Sequence, residues 1–140
     1  MHYKEYGDLQ KPLILLIHGG GVGGWMWDKQ VQYFSDYHCV VPELIDTEAN
    51  HNSDFSIEDC AKKLLSLIEE KATNKRVIVV GFSLGAQVAI QMVSLKPQLI
   101  DYAIINSALV TPSPIAEKWI RPLIKLSMNC GFRLIILIAI

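Results

Sequence analysis

The chain has 140 residues, of which 51% are hydrophobic and 19% charged, and carries a formal net charge of −1. A domain of this size buries roughly two thirds of its unfolded surface, so the composition excludes a disordered tail. Near-neutral charge without a basic cluster excludes the electrostatic footprint of a nucleic-acid or anionic-membrane binder.

The opening stretch "MHYKEYGDLQKP" is polar and mixed in charge. It predicts no signal peptide and a cytoplasmic, soluble protein. Residues 2–6 predict a short edge strand. Leu13–Ile17 is the first strong strand, too short to span a bilayer. A helix follows, with Trp27, Val31 and Phe34 on one face, and then a second strong strand over Cys39–Pro42. Ser56 and Asp59 predict an N-cap and its acidic third position, opening a helix that buries Ile57, Cys60, Leu64 and Ile68. The third strand is Val77–Gly81. The helix after Ser83 is striped by Val88, Met92 and Leu95 and stops before Pro97. Tyr102–Asn106 is the fourth strand. Ser113-Pro114 predicts an N-cap and first-turn proline for a further helix, which Pro122 kinks or splits.

From Leu123 the apolar run has the length of a membrane helix, but Lys125, Asn129 and Arg133 interrupt it. The closing "FRLIILIAI" is read instead as a strand whose partner is missing. Continuous apolar strands alternating with helices predict an α/β fold, an open and mainly parallel sheet flanked by helices. The expected division is a core over residues 1–112, then a lid-like helix and apolar tail over 113–140. Cys39, Cys60 and Cys130 are odd in number and widely spaced, which predicts reduced core cysteines. No disulfide frame, metal site or cofactor is expected.

Chemistry concentrates at "VIVVGFSLGAQVAI". A residue between the end of a strand and the start of a helix must turn sharply, and neighbouring side chains would strike the crossing backbone. Gly81 and Gly85 flank Ser83 two positions away on either side and remove those collisions. This is a G-x-S-x-G nucleophile elbow in a strand–turn–helix setting, with the hydroxyl above a helix N-terminus that favours a developing anion. The plainer alternative is a Gly-Ser turn that merely caps the helix.

The second cluster is "LILLIHGGGVGGWMW". His18-Gly19-Gly20-Gly21 forms a glycine-rich turn whose N–H groups can face an anion. No Gly-Lys-Ser/Thr follows, so it is not a phosphate-binding Walker loop. Gly19, Gly21 and Gly24, with Glu43 near the end of the next strand, also spell the dinucleotide-binding fingerprint of a Rossmann-type domain. Trp25 and Trp27 crowd the helix start where a pyrophosphate needs room, and that reading leaves Ser83 unexplained.

HGGG before an aromatic helix, then GFSLG on a later strand end, resembles the α/β-hydrolase family over residues 3 to about 125. The resemblance implies a partial α/β-hydrolase fold with the beginning of a lid region and a sheet ordered second, first, third, fourth strand. It implies Ser83 as nucleophile and an oxyanion hole of the N–H groups of Gly20, or Gly21, and Leu84. His18 is implied as support for that loop, with Gly19 and Gly21, rather than as the base. Trp25 and Phe82 are expected to pack in the core or to line the substrate pocket. The implied activity is hydrolysis of a small ester, thioester or amide through an acyl-serine. A non-catalytic binding module on the same fold is the rival.

The resemblance breaks after Ser83. The family's acid and histidine follow the serine, yet the four histidines here, His2, His18, His38 and His51, all precede it. His38 is expected at the amino end of its strand and His51 in a solvated loop. Asp101 and Glu117 have no convincing station, and Asn106-Ser107 stands where a carboxylate would serve one variant of the family. Glu43 replaces the usual Asp of "VVPELIDTEANHN", and no glycine-containing turn follows. The expectation is a front half of a hydrolase with little or no turnover as it stands. Its fourth strand would be an open edge, inviting self-association unless the tail folds over it. A small acyl substrate is the expected partner, with no nucleic acid and no membrane.

Overall fold

The computed structural model describes residues 1–44 and 55–108, and residues 133–137 as a strand. Among the described residues there are six strands: β1 (Tyr3–Gly7), β2 (Leu13–Ile17), β3 (His38–Pro42), β4 (Val77–Phe82), β5 (Tyr102–Asn106) and β6 (Arg133–Leu137). They form one sheet in the order β1-β3-β2-β4-β5-β6. Only β1 is antiparallel, pairing with β3; the other four pairings are parallel. The order predicted for the four strong strands is therefore the middle of a wider sheet.

The tail strand has a partner. β6 runs parallel to β5 with Tyr102 opposite Arg133 and Asn106 opposite Leu137, so the edge of β5 is not open. Sequence could not supply this pairing, because it joins residues some thirty positions apart. The predicted helix from Ser113, the kink at Pro122, His51, Glu117 and Cys130 lie outside the described residues.

Alternating side chains of the strands load the two faces separately. On one face Leu13, Leu15, Ile17, Val40, Val77, Val79, Ala103 and Ile105 pack against two helices, α2 (Ile57–Lys71) and α3 (Leu84–Leu95). Ser56 caps α2 by accepting the Asp59 N–H at 3.2 Å. On the other face Ile14, Leu16, Cys39 and Val41 pack under Trp27 and Val31 of a 3₁₀ turn (Gly24–Trp27) that runs into the short helix α1 (Asp28–Tyr33). Cys39 and Cys60 are buried free thiols. Leu95, placed by periodicity in the buried stripe of α3, is exposed because it is the last residue of that helix. Among the described residues no helix is long and apolar enough to cross a membrane.

His38, the first residue of β3, is 1% exposed, and neither ring nitrogen has a hydrogen bond. Its Nε2 lies 3.9 Å from Glu5 Oε2, and Lys71 Nζ holds Glu5 Oε1 at 2.7 Å. Burial pushes the His38 pKa below its ordinary value; Glu5 opposes the shift, and Lys75 and Lys71 add to it. The unfolded chain binds this proton near pH 6.5, and the folded chain only at lower pH. The stabilisation is therefore whole above about pH 6.5 and is lost as pH falls from there through the folded value. Urea midpoints are expected to fall more between about pH 7.5 and about pH 5 for the wild type than for His38→Leu. Parallel falls in the two proteins would assign the acid sensitivity elsewhere.

Candidate active site

β4 ends at Phe82 and α3 begins at Leu84, which leaves Ser83 alone to make the corner. Its backbone sits at φ 51°, ψ −112°, a conformation that L-residues avoid at a cost of about 1–3 kcal/mol. Neighbouring bonds hold it there. Its N–H donates to the Asn106 carbonyl at 2.9 Å, tying the corner to the end of β5, and its carbonyl accepts from Ala86 and Gln87. The Ser83 side chain makes no capping bond to α3. A serine serving only as a cap would sit in an extended conformation and spend its hydroxyl on the helix. This one does neither.

The corner is also too crowded for any flanking side chain. A Cβ at position 81 would lie 2.7 Å from Ala86 Cα, and one at position 85 would lie 2.5 Å from the His18 carbonyl oxygen. The second contact shows that the elbow is pressed against the end of β2, where the glycine-rich loop begins. β2 and β4 are adjacent parallel strands with Ile17 opposite Gly81, so both loops leave the same carboxyl edge of the sheet. Open α/β sheets bind ligands at that edge, where chain connections depart in opposite directions.

Loop and elbow touch. A Cβ at Gly19 would come to 3.0 Å from the Phe82 ring and 3.3 Å from Ser83 Cβ, whereas one at Gly20 would meet Leu84 Cδ2 at 3.5 Å and Leu84 Cβ at 3.8 Å. Gly20 therefore stands beside the first residue of α3, whose N–H has no carbonyl one helical turn before it. Gly21, at φ 75°, turns the loop away and faces open space. This contrast gives a measurable asymmetry. Gly19→Ala is expected to lose about 1–3 kcal/mol by pushing Phe82 and Ser83, and Gly20→Ala less than about 1 kcal/mol. Urea unfolding of both variants checks it; equal losses would mean the loop stands clear of the elbow.

His18 is 2% exposed and fully engaged. Its Nε2 accepts the Leu44 N–H at 3.0 Å, which leaves the proton on Nδ1 to be donated to the Gly19 carbonyl at 2.7 Å. Neither nitrogen is available to take a proton from Ser83. Glu43, the residue after β3, accepts the Gly24 N–H at 3.1 and 3.2 Å and has one oxygen 3.3 Å from His18 Nε2. In the dinucleotide reading the Gly24 amide would face a phosphate; here a carboxylate takes it.

The remaining sequence candidates separate clearly. Phe82 is partly buried with its ring against Gly19. Trp25 is 63% exposed, its indole beside Gly23, so it is not a core residue; Trp27 fills that role. Asp101 accepts the Val77 N–H at 2.8 Å at the opposite edge of the sheet, a structural bond. Ser107, at φ 53°, directly follows the β5 residue paired with Phe82, and its hydroxyl donates to Asn106 Oδ1 at 3.1 Å. Glu43 is the contact that sequence reasoning missed. Its signal was a carboxylate after a strand neighbouring a loop rich in bare amides. Among the described residues no group of three or more His, Cys, Asp and Glu is placed to hold a metal ion.

A model of the alpha/beta hydrolase family matches residues 14–136. The chain belongs to the alpha/beta hydrolase family. Among relatives of this family, RutD of Stutzerimonas stutzeri, which bears the name of a carbamate hydrolase, is 28% identical over 137 residues, covering 94% of this chain and 51% of its own. The pimeloyl-[acyl-carrier protein] methyl ester esterase of Vibrio campbellii is 30% identical over 102 residues, 72% of this chain and 38% of its own. A thermophilic esterase from Thermogutta terrifontis superposes with a TM-score of 0.70 at 21% identity, over 93% of this chain and 48% of its own. The chain thus spans about half or less of the length of these hydrolases. The family match crosses residue 112, as the sheet does through β6.

Proposed function

We propose that Ser83 is the nucleophile of a serine hydrolase acting on a small ester, thioester or amide, with the N–H groups of Gly20 and Leu84 as its oxyanion hole. The observation carrying this reading is the Ser83 corner itself, strained at φ 51° and held without a capping bond, with Gly20 beside Leu84. In the reaction Ser83 Oγ bonds the acyl carbon and the carbonyl π pair moves onto oxygen. Two fixed amide donors meet that charge as it develops. The leaving alkoxide, thiolate or amine departs with a proton, and water then cleaves acyl-Ser83 to the acid and the free hydroxyl.

The names of the relatives favour carbonyl chemistry. Carbamates and methyl esters present an oxygen for paired amides to hold, whereas the epoxide in the name of a Caenorhabditis elegans relative presents no carbonyl. Phe82, whose ring lies against Gly19 beside the elbow, suits an uncharged or lipophilic acyl group. The weak step is proton removal. No histidine follows Ser83, and both nitrogens of His18 are occupied. Oxyanion hole and binding alone leave about 10³–10⁴-fold catalysis over water when a triad member is missing. Slow acylation and slower turnover are therefore expected of these 140 residues.

A fluorophosphonate probe tests the reading: Ser83 Oγ bonds phosphorus, fluoride leaves and the hydroxyl proton passes to water, so labelling without a histidine base is expected to be slow. Peptide mapping is expected to find the adduct on Ser83. A folded chain that stays unlabelled even after prolonged exposure to high probe concentration would favour a binding module on a hydrolase fold instead.

A further inference from the structure

The geometry points to Glu43 as a positioning residue for the chemistry at Ser83: its carboxylate caps the helical segment that starts at Gly24 and so fixes the far end of the loop that aims the Gly20 N–H. The inference rests on reading Ser83 as the nucleophile and adds a residue outside that machinery.

The 3₁₀ turn Gly24–Trp27 has Gly23 as its N-cap, and glycine has no side chain to accept a first-turn N–H. The unsatisfied N–H groups of a helical start carry partial positive charge. Glu43 supplies the missing acceptor from a neighbouring strand end, with both oxygens within 3.2 Å of Gly24 N. A charge-assisted bond of this kind is about twice as strong as a neutral one. The approach is so close that a Cβ at Gly24 would lie 2.9 Å from Glu43 Oε1 and 2.8 Å from Val41 Cγ1, and one at Gly23 would lie 3.1 Å from Glu43 Oε2. The two glycines give the carboxylate access to the backbone.

The near end of the same loop is fixed from the same place. His18 bridges the Gly19 carbonyl and the N–H of Leu44, the residue next to Glu43. Residues 19–23 therefore hang between two anchors that both lead to positions 43 and 44. The carboxylate is 35% exposed, so it stays solvated while it holds the turn. Release of one anchor lets Gly20 swing relative to Leu84. A displacement of about 1 Å between reacting groups can cost about 10²-fold in rate.

The test separates binding of a fluorophosphonate from its chemical step. Glu43→Ala is expected to lower the maximal inactivation rate by about tenfold to a hundredfold, with the half-saturating probe concentration changed by less than about threefold. Glu43→Gln, which keeps an acceptor oxygen, is expected to recover most of that rate. An inactivation rate in Glu43→Ala equal to wild type overturns the proposal, as does a Gln variant as slow as Ala. Amide hydrogen exchange and ¹⁵N resonances give a second readout that needs no reactivity. The Gly24 N–H is expected to exchange faster and the Gly20 resonance to move in Glu43→Ala, and to a smaller degree in Glu43→Gln if the alanine variant fails to fold. A wild-type Ser83 inert to the probe would remove the nucleophile reading alone. The clamp then stands or falls on the amides, and an unchanged Gly24 exchange rate overturns it.

Discussion

Gly85→Ala is expected to yield little or no soluble, folded protein. The added methyl would have to sit 2.5 Å from the His18 carbonyl oxygen and 2.7 Å from the Ile17 carbonyl carbon. Those are backbone atoms of the last residue of β2 and of the residue after it, and β2 is buried along its whole length and paired on both sides. A side chain in the way could change rotamer, but a central strand can only be displaced. Overpacking costs typically about 1–3 kcal/mol even where neighbours can shift, and marginal domains have about 5–15 kcal/mol in total. Gly85→Ala should lie at or beyond the top of that range. Gly81→Ala should follow it closely, because its methyl would meet Ala86 Cα at 2.7 Å. Soluble yield and urea midpoints, compared with Gly20→Ala as the tolerated control, check the prediction. A Gly85→Ala protein as stable as wild type would mean that α3 does not press on β2.

The second large effect is at Ser83, where stability and reactivity should move in opposite directions. Ser83→Gly relieves a positive φ that a Cβ disfavours, and it removes no capping bond, since none exists. It is expected to raise stability by about 1 kcal/mol or more and to abolish fluorophosphonate labelling completely. Ser83→Ala loses the labelling equally but keeps the Cβ, so its stability should stay near that of wild type. On the proposed reading, the strain kept at this one serine serves its chemistry. A glycine variant less stable than wild type would show that the hydroxyl is a structural group.

Much of this was legible in local pattern. The runs at Leu13, Cys39, Val77 and Tyr102 are strands because branched residues fill a pleated sheet covered on both faces, and each lies within a residue of its predicted limits. The elbow could be read because its requirements are local: a strand, a single serine, a glycine on each side and a helix. What sequence could not show is mostly non-local. The pairing of β6 with β5 depends on where the intervening chain leads. The Glu43–Gly24 bond joins residues 19 apart, and its meaning depends on β3 lying beside β2. Trp27 was legible as part of the buried face of its helix, whereas pattern left Trp25 between core and pocket wall; its 63% exposure excludes the core alone. Asp101, by contrast, was legible as the residue before the fourth strand, and the structure keeps it at the amino end of β5, bonded to the Val77 N–H and away from Ser83.

The proposed chemistry requires three groups to share one small space at the carboxyl edge of the sheet: the Ser83 hydroxyl and the N–H groups of Gly20 and Leu84. A crystal structure of the chain after reaction with a fluorophosphonate measures this directly. The expected density shows phosphorus bonded to Ser83 Oγ and its non-bridging oxygen within hydrogen-bonding distance, about 2.7–3.1 Å, of both amide nitrogens. An adduct whose oxygen points to solvent, with Gly20 and Leu84 both turned away from it, would contradict the account.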